Sequence, residues 1–177
     1  TCLEKGSRSE RALKAAIAEM YLKGVSTRKV TAITKELCGL EFSSSQVSAM
    51  TKELDVEFDA FRNRPLGRFA YVFLDATYLK VRNAGSVTSM ATLIAYGINE
   101  SGRREILGVS AELSEAEVHW RGFLEGLQKR GLSGIQLLVS DDHSGLRKAL
   151  GSVFPAIPWQ RCQFHMMQNA QQYAPKK

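Results

Sequence analysis

At 177 residues, with 24 Lys and Arg against 18 Asp and Glu and a formal charge of +6, the chain holds one ordinary domain, or a small one beside a medium one. Apolar content of 44% with intermixed charge excludes extensive disorder, and a pI near 9.3 favours a polyanionic partner. No stretch approaches the ~20 apolar residues of a membrane span and nothing at the start resembles a signal peptide, while the widely spaced Cys2, Cys38 and Cys162 argue against a disulfide framework and for a reducing, cytoplasmic setting.

The first third reads as three helices. Leu13, Ile17, Met20 and Tyr21 share one face of the first; Val30, Ile33 and Leu37 share one face of the second, capped by Ser26 or Thr27. Val47, Met50, Leu54, Phe58 and Phe61 line the third, opened by the serines at 43 to 45, and Gly24 and Gly39 sit in the joints. Three short helices with tight joints match either a helix-turn-helix unit, whose last helix enters the DNA major groove, or a generic helical bundle. On the first reading Arg28, Lys29, Lys35 and Lys52 contact phosphates, and Ser44, Ser45, Gln46 and Ser48 open the recognition helix. On the second they form a solvated face.

Arg62-Asn63-Arg64-Pro65-Leu66-Gly67 breaks the helical period, so the expected domains are residues 1–66 and 67–177. Strands are expected at 69–81, 87–98 and 104–109, the last two joined by a hairpin at Asn99-Glu100-Ser101-Gly102. A helix follows, with Ser114 and Glu117 as a capping box and Trp120, Phe123, Leu124 and Leu127 as the buried stripe. Lys129 and Arg130 sit in its last turn and Gly131 stops it. A strand at 135–140, a short helix near 144–150, an extended piece near 157–160 and a final helix from about Cys162 complete the order. A three-strand meander followed by a helical crossover brings the fourth strand beside and parallel to the first. That is an α/β fold with a ribonuclease H-like mixed sheet, preceded by a small all-α domain.

This topology sets Asp75, inside the apolar run Tyr71-Val72-Phe73-Leu74, beside Asp141, delivered at the end of Leu137-Leu138-Val139-Ser140. An ionised carboxylate in buried surroundings is costly unless paired, hydrogen-bonded or bound to a cation. Two of them on neighbouring strands suit a divalent metal, and two-metal phosphoryl transfer needs such carboxylates. The alternatives are that Asp75 pairs with a base such as Lys80 and that Asp141 or Asp142 caps the next helix. Cys162 and His165 form a C-x2-H pair, half of a zinc site at best, or a small core cysteine beside a histidine. His143, next to the acidic pair, is a phosphate-facing or supporting group, or an exposed loop residue.

At these residues the chain resembles the Mutator-type bacterial insertion-sequence transposases of the Asp-Asp-Glu superfamily. The matching stretches are residues 73–82, 102–108, 114–117 with Trp120, Phe123 and Leu124, 139–141 with His143, Gly145 and Leu146, and 159–165. Residues 24–30 and 51–55 match in the helical part. The resemblance implies that Asp75 and Asp141 are the first and second metal-binding aspartates, holding Mg2+ or Mn2+, and that Cys162 and His165 occupy the family's signature beside them. It implies metal-dependent cleavage at the element's ends and joining to target DNA, by water and then a DNA 3′-hydroxyl. It further implies double-stranded DNA partners (terminal inverted repeats and target), a homo-oligomer on DNA, no membrane partner, and a bacterial cytoplasmic, nucleoid-associated setting.

Two departures stand out. The family's third carboxylate is a glutamate well beyond the C-x2-H signature, and no Asp or Glu follows Asp142 here. The triad is therefore expected to be incomplete, and the catalytic domain truncated at its C-terminal side. Asp142 adds a charge where the family commonly has a small residue, with altered metal spacing as the expected consequence. Glu112, Glu115 and Glu117 are expected to lie away from the strand ends and not to compensate. The alternative functions are a non-catalytic DNA-binding fragment or repressor of transposition, and a nuclease of ribonuclease H type.

Overall fold

The computed structural model describes residues 12–13, 15–20, 25–39, 42–83 and 86–173, without the side chains of Thr27, Cys38, Ser44, Met50, Thr51, Glu53, Leu54, Arg82 and Asn83. Cys2, Tyr21 and Gly24 lie outside the described residues. The chain forms two compact units, Thr1–Arg62 and Asn63–Lys177.

In the first unit, α1 (residues 15–20), α2 (Thr27–Cys38) and α3 (Ser44–Asn63) supply a small core of Ile17, Val30 and Val47, with Leu13, Met20, Val25 and Phe42 packed around it. Extended Ser26 caps α2 by accepting from the Lys29 N–H at 3.4 Å, and Gly39, at φ 68°, ends it. A reciprocal pair opens α3: Ser43 Oγ accepts from the Gln46 N–H at 3.2 Å, and Gln46 Oε1 accepts from the Ser43 N–H at 2.8 Å. Two apolar expectations fail. Leu37 is 80% exposed and Phe58 45% exposed, outside the cluster that the described residues form. Thr34 is buried on α2 instead, its hydroxyl donating to the Val30 carbonyl at 3.0 Å.

The second unit is built on β1 (Phe69–Asn83), β2 (Ser86–Asn99), β3 (Arg104–Glu112), β4 (Leu137–Ser140) and β5 (Trp159–Arg161), with α4 (Glu117–Lys129), α5 (Ser144–Val153) and α6 (Gln163–Gln171). The sheet order is β3-β2-β1-β4-β5; the first three strands pair antiparallel, while β4 is parallel to both β1 and β5. The expected meander and crossover are both present, α4 making the crossover. Strand alternation turns Val72, Leu74, Ala91, Leu93, Ala95, Leu107 and Leu138 into one core with Trp120, Leu124 and Leu127 of α4 and Leu146, Ala149 and Leu150 of α5. Each fully buried leucine contributes about 2 kcal/mol by removal from water.

Local chemistry explains the turns. Asn99 Oδ1 accepts from the Ser101 and Arg103 N–H groups, both at 3.0 Å, and Gly102 takes φ 78°. Gly131, at φ 90°, ends α4, its N–H reaching the Gln128 carbonyl while the Leu132 N–H reaches Leu127. The expected capping box at the start of α4 does not form. Ala116 is the N-cap without a side-chain bond, Ser114 Oγ accepts only from the Ala116 N–H at 3.4 Å, and Glu117 turns to Arg121 at 3.4 Å. Packing fixes this entry in place of a side-chain cap: a Cβ built on Gly145 of α5 falls 2.3 Å from the Glu115 carbonyl oxygen and 3.0 Å from the Glu117 nitrogen. Only glycine permits that approach.

Candidate active site

β1 and β4 pair in parallel from Tyr71↔Leu137 to Leu74↔Ser140, so Asp75 and Asp141 are each the next residue beyond the last shared pair. Two carboxylates thus leave adjoining strands at one level. Asp75 corrects the expectation of burial. It is 53% exposed, because alternation sends Val72 and Leu74 into the core and Asp75 to the opposite face. Its Oδ1 accepts from the Ala76 N–H at 2.9 Å and lies 3.9 Å from His165 Nε2, so its nearest basic group among the described residues is His165 rather than Lys80.

Asp141 Oδ1 accepts from the His143 N–H at 3.4 Å. Neither aspartate caps α5, whose N-cap is His143 with no side-chain cap bond. Asp142 stands 3.6 Å from Arg147 and 3.8 Å from Arg161, so guanidinium groups of α5 and β5 answer its charge. The backbone at Asp141 is held from beneath: buried Ser140 accepts from the Trp159 indole N–H at 2.9 Å and donates to the Asp141 carbonyl at 2.7 Å. The Arg147 guanidinium lies 3.7 Å over the Trp159 ring, joining this support to Asp142.

The C-x2-H pair splits its work. The Cys162 N–H donates to the Ser140 carbonyl at 2.6 Å, continuing the β4–β5 ladder, and half-buried Cys162 is the N-cap of α6. His165, one turn into α6, faces Asp75. On the same side of the sheet Phe73 stacks on Tyr96 at 4.7 Å. Burial foremost raises the Tyr96 hydroxyl pKa, Arg104 opposing while Cys162 and Asp75 add to the rise.

Glu115 is the residue the sequence misplaced. It was expected away from the strand ends, yet its side chain is only 13% exposed and lies 3.9 Å from His143 Nδ1. Burial foremost holds its carboxyl above the ordinary range. Asp141 and Asp75 push the same way, against His143 and a hydrogen bond from Tyr78. His143 opens α5 with its side chain 40% exposed, its backbone N–H on Asp141 and its ring Nδ1 3.9 Å from Glu115. The one sequence signal for this was Gly145, whose missing Cβ lets α5 press the 115–117 backbone inward.

By donor chemistry Asp75 and Asp141 fit a hard divalent cation such as Mg2+: one carboxylate in mid-β1, the other just past the end of the neighbouring β4, and the first open to solvent. Among the described residues no three His, Cys, Asp or Glu side chains come close enough together to hold a metal ion by themselves. No helix among them is long and apolar enough to cross a membrane.

The candidate nucleic-acid contacts lie on α2 and α3 of the first unit. Arg28, Lys29, Lys35, Ser48 and Lys52 are exposed, Lys35 in the last turn of α2. Ser45 and Gln46 are partly committed locally, Ser45 to the Ser43 hydroxyl at 2.8 Å and Gln46 to the cap of α3. The side chain of Ser44 lies outside the described residues.

Residues 1–177 match the family model described as Transposase, Mutator family. The transposase for insertion sequence element IS406 of Burkholderia multivorans is 51% identical over 172 residues, covering 96% of this chain and 44% of that protein. The transposase for ISRM5 of Rhizobium meliloti is 54% identical over 175 residues, covering 98% of this chain and 44% of that protein. The transposase for IS256 in transposon Tn4001 of Staphylococcus aureus is 42% identical over 179 residues, covering 100% of this chain and 46% of that protein. The chain spans less than half the length of these relatives. With the whole chain matched and relatives about half identical along nearly all of it, this protein belongs to the Mutator family of transposases.

Proposed function

We propose that the second unit carries two of the carboxylates of a metal-dependent DNA-cleaving and strand-transferring centre, Asp75 and Asp141, and that the first unit binds DNA. The observation that carries this reading is the parallel β1–β4 register, whose last pair is Leu74↔Ser140, so that Asp75 in mid-β1 and Asp141 just past the end of β4 are each the next residue on neighbouring strands. Asp75 and Asp141 would hold Mg2+ or Mn2+, which supplies activation of an attacking oxygen and stabilisation of a leaving one. The chain's own residues do the rest. The solvent-open Asp75 carboxylate leaves room for a phosphate, and Trp159, Ser140 and Arg147 fix the backbone from which Asp141 projects. His165 sets its imidazole ring 3.9 Å from Asp75. Arg28, Lys29 and Lys52 offer cations to the phosphate backbone of duplex DNA, whose neutralisation drives affinity. The partners are the element's ends and target DNA, with two ends brought together by a homo-oligomer, in the bacterial cytoplasm at the nucleoid.

Because no Asp or Glu follows Asp142, a second reading applies to the chain by itself: a DNA-binding piece that occupies element ends without cutting them. One experiment separates the two. In a chimera where this chain replaces the matching segment of a relative, Asp75→Asn and Asp141→Asn should each abolish donor-end cleavage and leave DNA binding intact. Cleavage retained by either variant refutes the active-site assignment. The chain alone should bind duplex DNA without joining ends to target; strand transfer by residues 1–177 in Mg2+ would sink the claim that it is incomplete.

A further inference from the structure

Three elements of the second unit converge beside the aspartates: β1 through Tyr78, the β3–α4 connection through Glu115, and the start of α5 through His143. Glu115 is held on both sides. Its backbone is locked against Gly145, where even a methyl group would overlap, and its carboxylate is nearly enclosed, with His143 3.9 Å away. His143 is held only from its backbone side, where its N–H donates to Asp141 Oδ1. Its ring Nδ1 is buried without a hydrogen-bond partner, and Glu115 Oε2 is the acid it faces. A buried ring nitrogen with no partner is costly, and a modest rotation of either side chain closes the 3.9 Å gap.

Resting on the active-site reading above, we propose that Glu115 is a positioning residue for the acidic site. It fixes the His143 ring, and through the His143 backbone N–H the Asp141 carboxylate, in the orientation that shares a divalent cation with Asp75. The fixed point is the Gly145 contact, which anchors the β3–α4 connection to the helix that His143 begins. A supporting carboxylate of this kind sets ligand geometry without touching the ion, and loss of such partners costs about 10- to 100-fold in metal affinity.

The test is Mn2+ binding to residues 1–177, read from the loss of the free-ion electron paramagnetic resonance signal on titration. Wild type should bind Mn2+ saturably, and Asp75→Asn and Asp141→Asn should lose that binding. Glu115→Gln and His143→Gln should each weaken it by about tenfold. The double variant should be no weaker than either single one, because both act through one link. Glu115→Gln should be no less stable to urea than wild type, which separates positioning from general damage. Wild-type binding by Glu115→Gln, with binding lost in both aspartate variants, overturns the proposal alone. A Glu115→Gln effect undiminished in the His143→Gln background assigns Glu115 to the ion itself and overturns the positioning role. Failure of wild type to bind Mn2+, or binding indifferent to Asp75 and Asp141, overturns the active-site reading and this inference with it.

Discussion

Gly145→Ala sets two effects of opposite sign against each other. In the interior of a helix, Ala is favoured over Gly by about 1 kcal/mol. At this site, however, the new Cβ would stand 2.3 Å from the Glu115 carbonyl oxygen, 3.0 Å from the Glu117 nitrogen and 3.2 Å from the Ala116 carbonyl carbon. All three are backbone atoms, so no side chain can swing aside; the start of α5 or the β3–α4 connection must move by about 1 Å to restore ordinary contact. Overpacking of this kind costs about 1–3 kcal/mol, and rigid surroundings put the cost at the upper end. The net expectation is a loss of about 1–2 kcal/mol, or roughly 0.5–1 M in urea midpoint at typical slopes. The chain's two tryptophans, Trp120 and Trp159, both lie in the second unit, so selectively excited tryptophan fluorescence reports that unit alone. Gly122, on α4 with nothing within 4 Å of a built Cβ, is the control, and Gly122→Ala should stabilise by about 0.5–1 kcal/mol. A Gly145→Ala variant as stable as wild type would refute the close approach on which the placement of Glu115 depends.

Other consequences follow from the same geometry. Glu115 has a carboxyl pKa raised above its ordinary 4.5, so the folded chain binds more protons than the unfolded one above that pH, and its contribution to stability falls as pH rises. The urea midpoint of Glu115→Gln should therefore gain on wild type between pH 4 and pH 7; a constant or shrinking gap contradicts the burial of this carboxylate. Trp159→Phe keeps a ring under Arg147 but strips Ser140 of its indole donor, and should cost about 1 kcal/mol by urea unfolding followed through Trp120. Unchanged stability would mean that the bond carries no weight. Arg28→Ala and Lys29→Ala should each lower the slope of log affinity against log salt for a duplex by about 0.9, measured by fluorescence anisotropy. An unchanged slope removes that residue from the interface.

Much of the second unit was legible because its signals are periodic and local. Alternation in Leu74, Ala91, Leu93 and Ala95, the Asn99–Gly102 turn and the Gly131 stop are each decided within a few residues, and the meander and crossover follow from their order. The juxtaposition of Asp75 and Asp141 was legible for the same reason. What escaped depended on which face a strand turns or on what packs from far away in sequence. Asp75 sits among apolar letters, yet only alternate ones are buried, so an apolar run was mistaken for a buried site. Ser114 and Glu117 have cap spacing, but contact with Gly145, some thirty residues on, sets where α4 begins. Glu115 enters the site through that same contact. The apolar stripes of α2 and α3 overpredicted burial at Leu37 and Phe58, because helical period tells which face is apolar but not what packs against it.

The most direct test of the central claim, that Asp75 and Asp141 share one divalent cation, is iron-directed backbone scission. Fe2+ takes the place of Mg2+, and ascorbate with peroxide generates radicals that cut the chain nearest the bound ion. The account predicts cuts clustered beside Asp75 and Asp141, suppressed by excess Mg2+ and absent from Asp75→Asn and Asp141→Asn. Cuts that map elsewhere in the chain, or that persist in either variant, would contradict it.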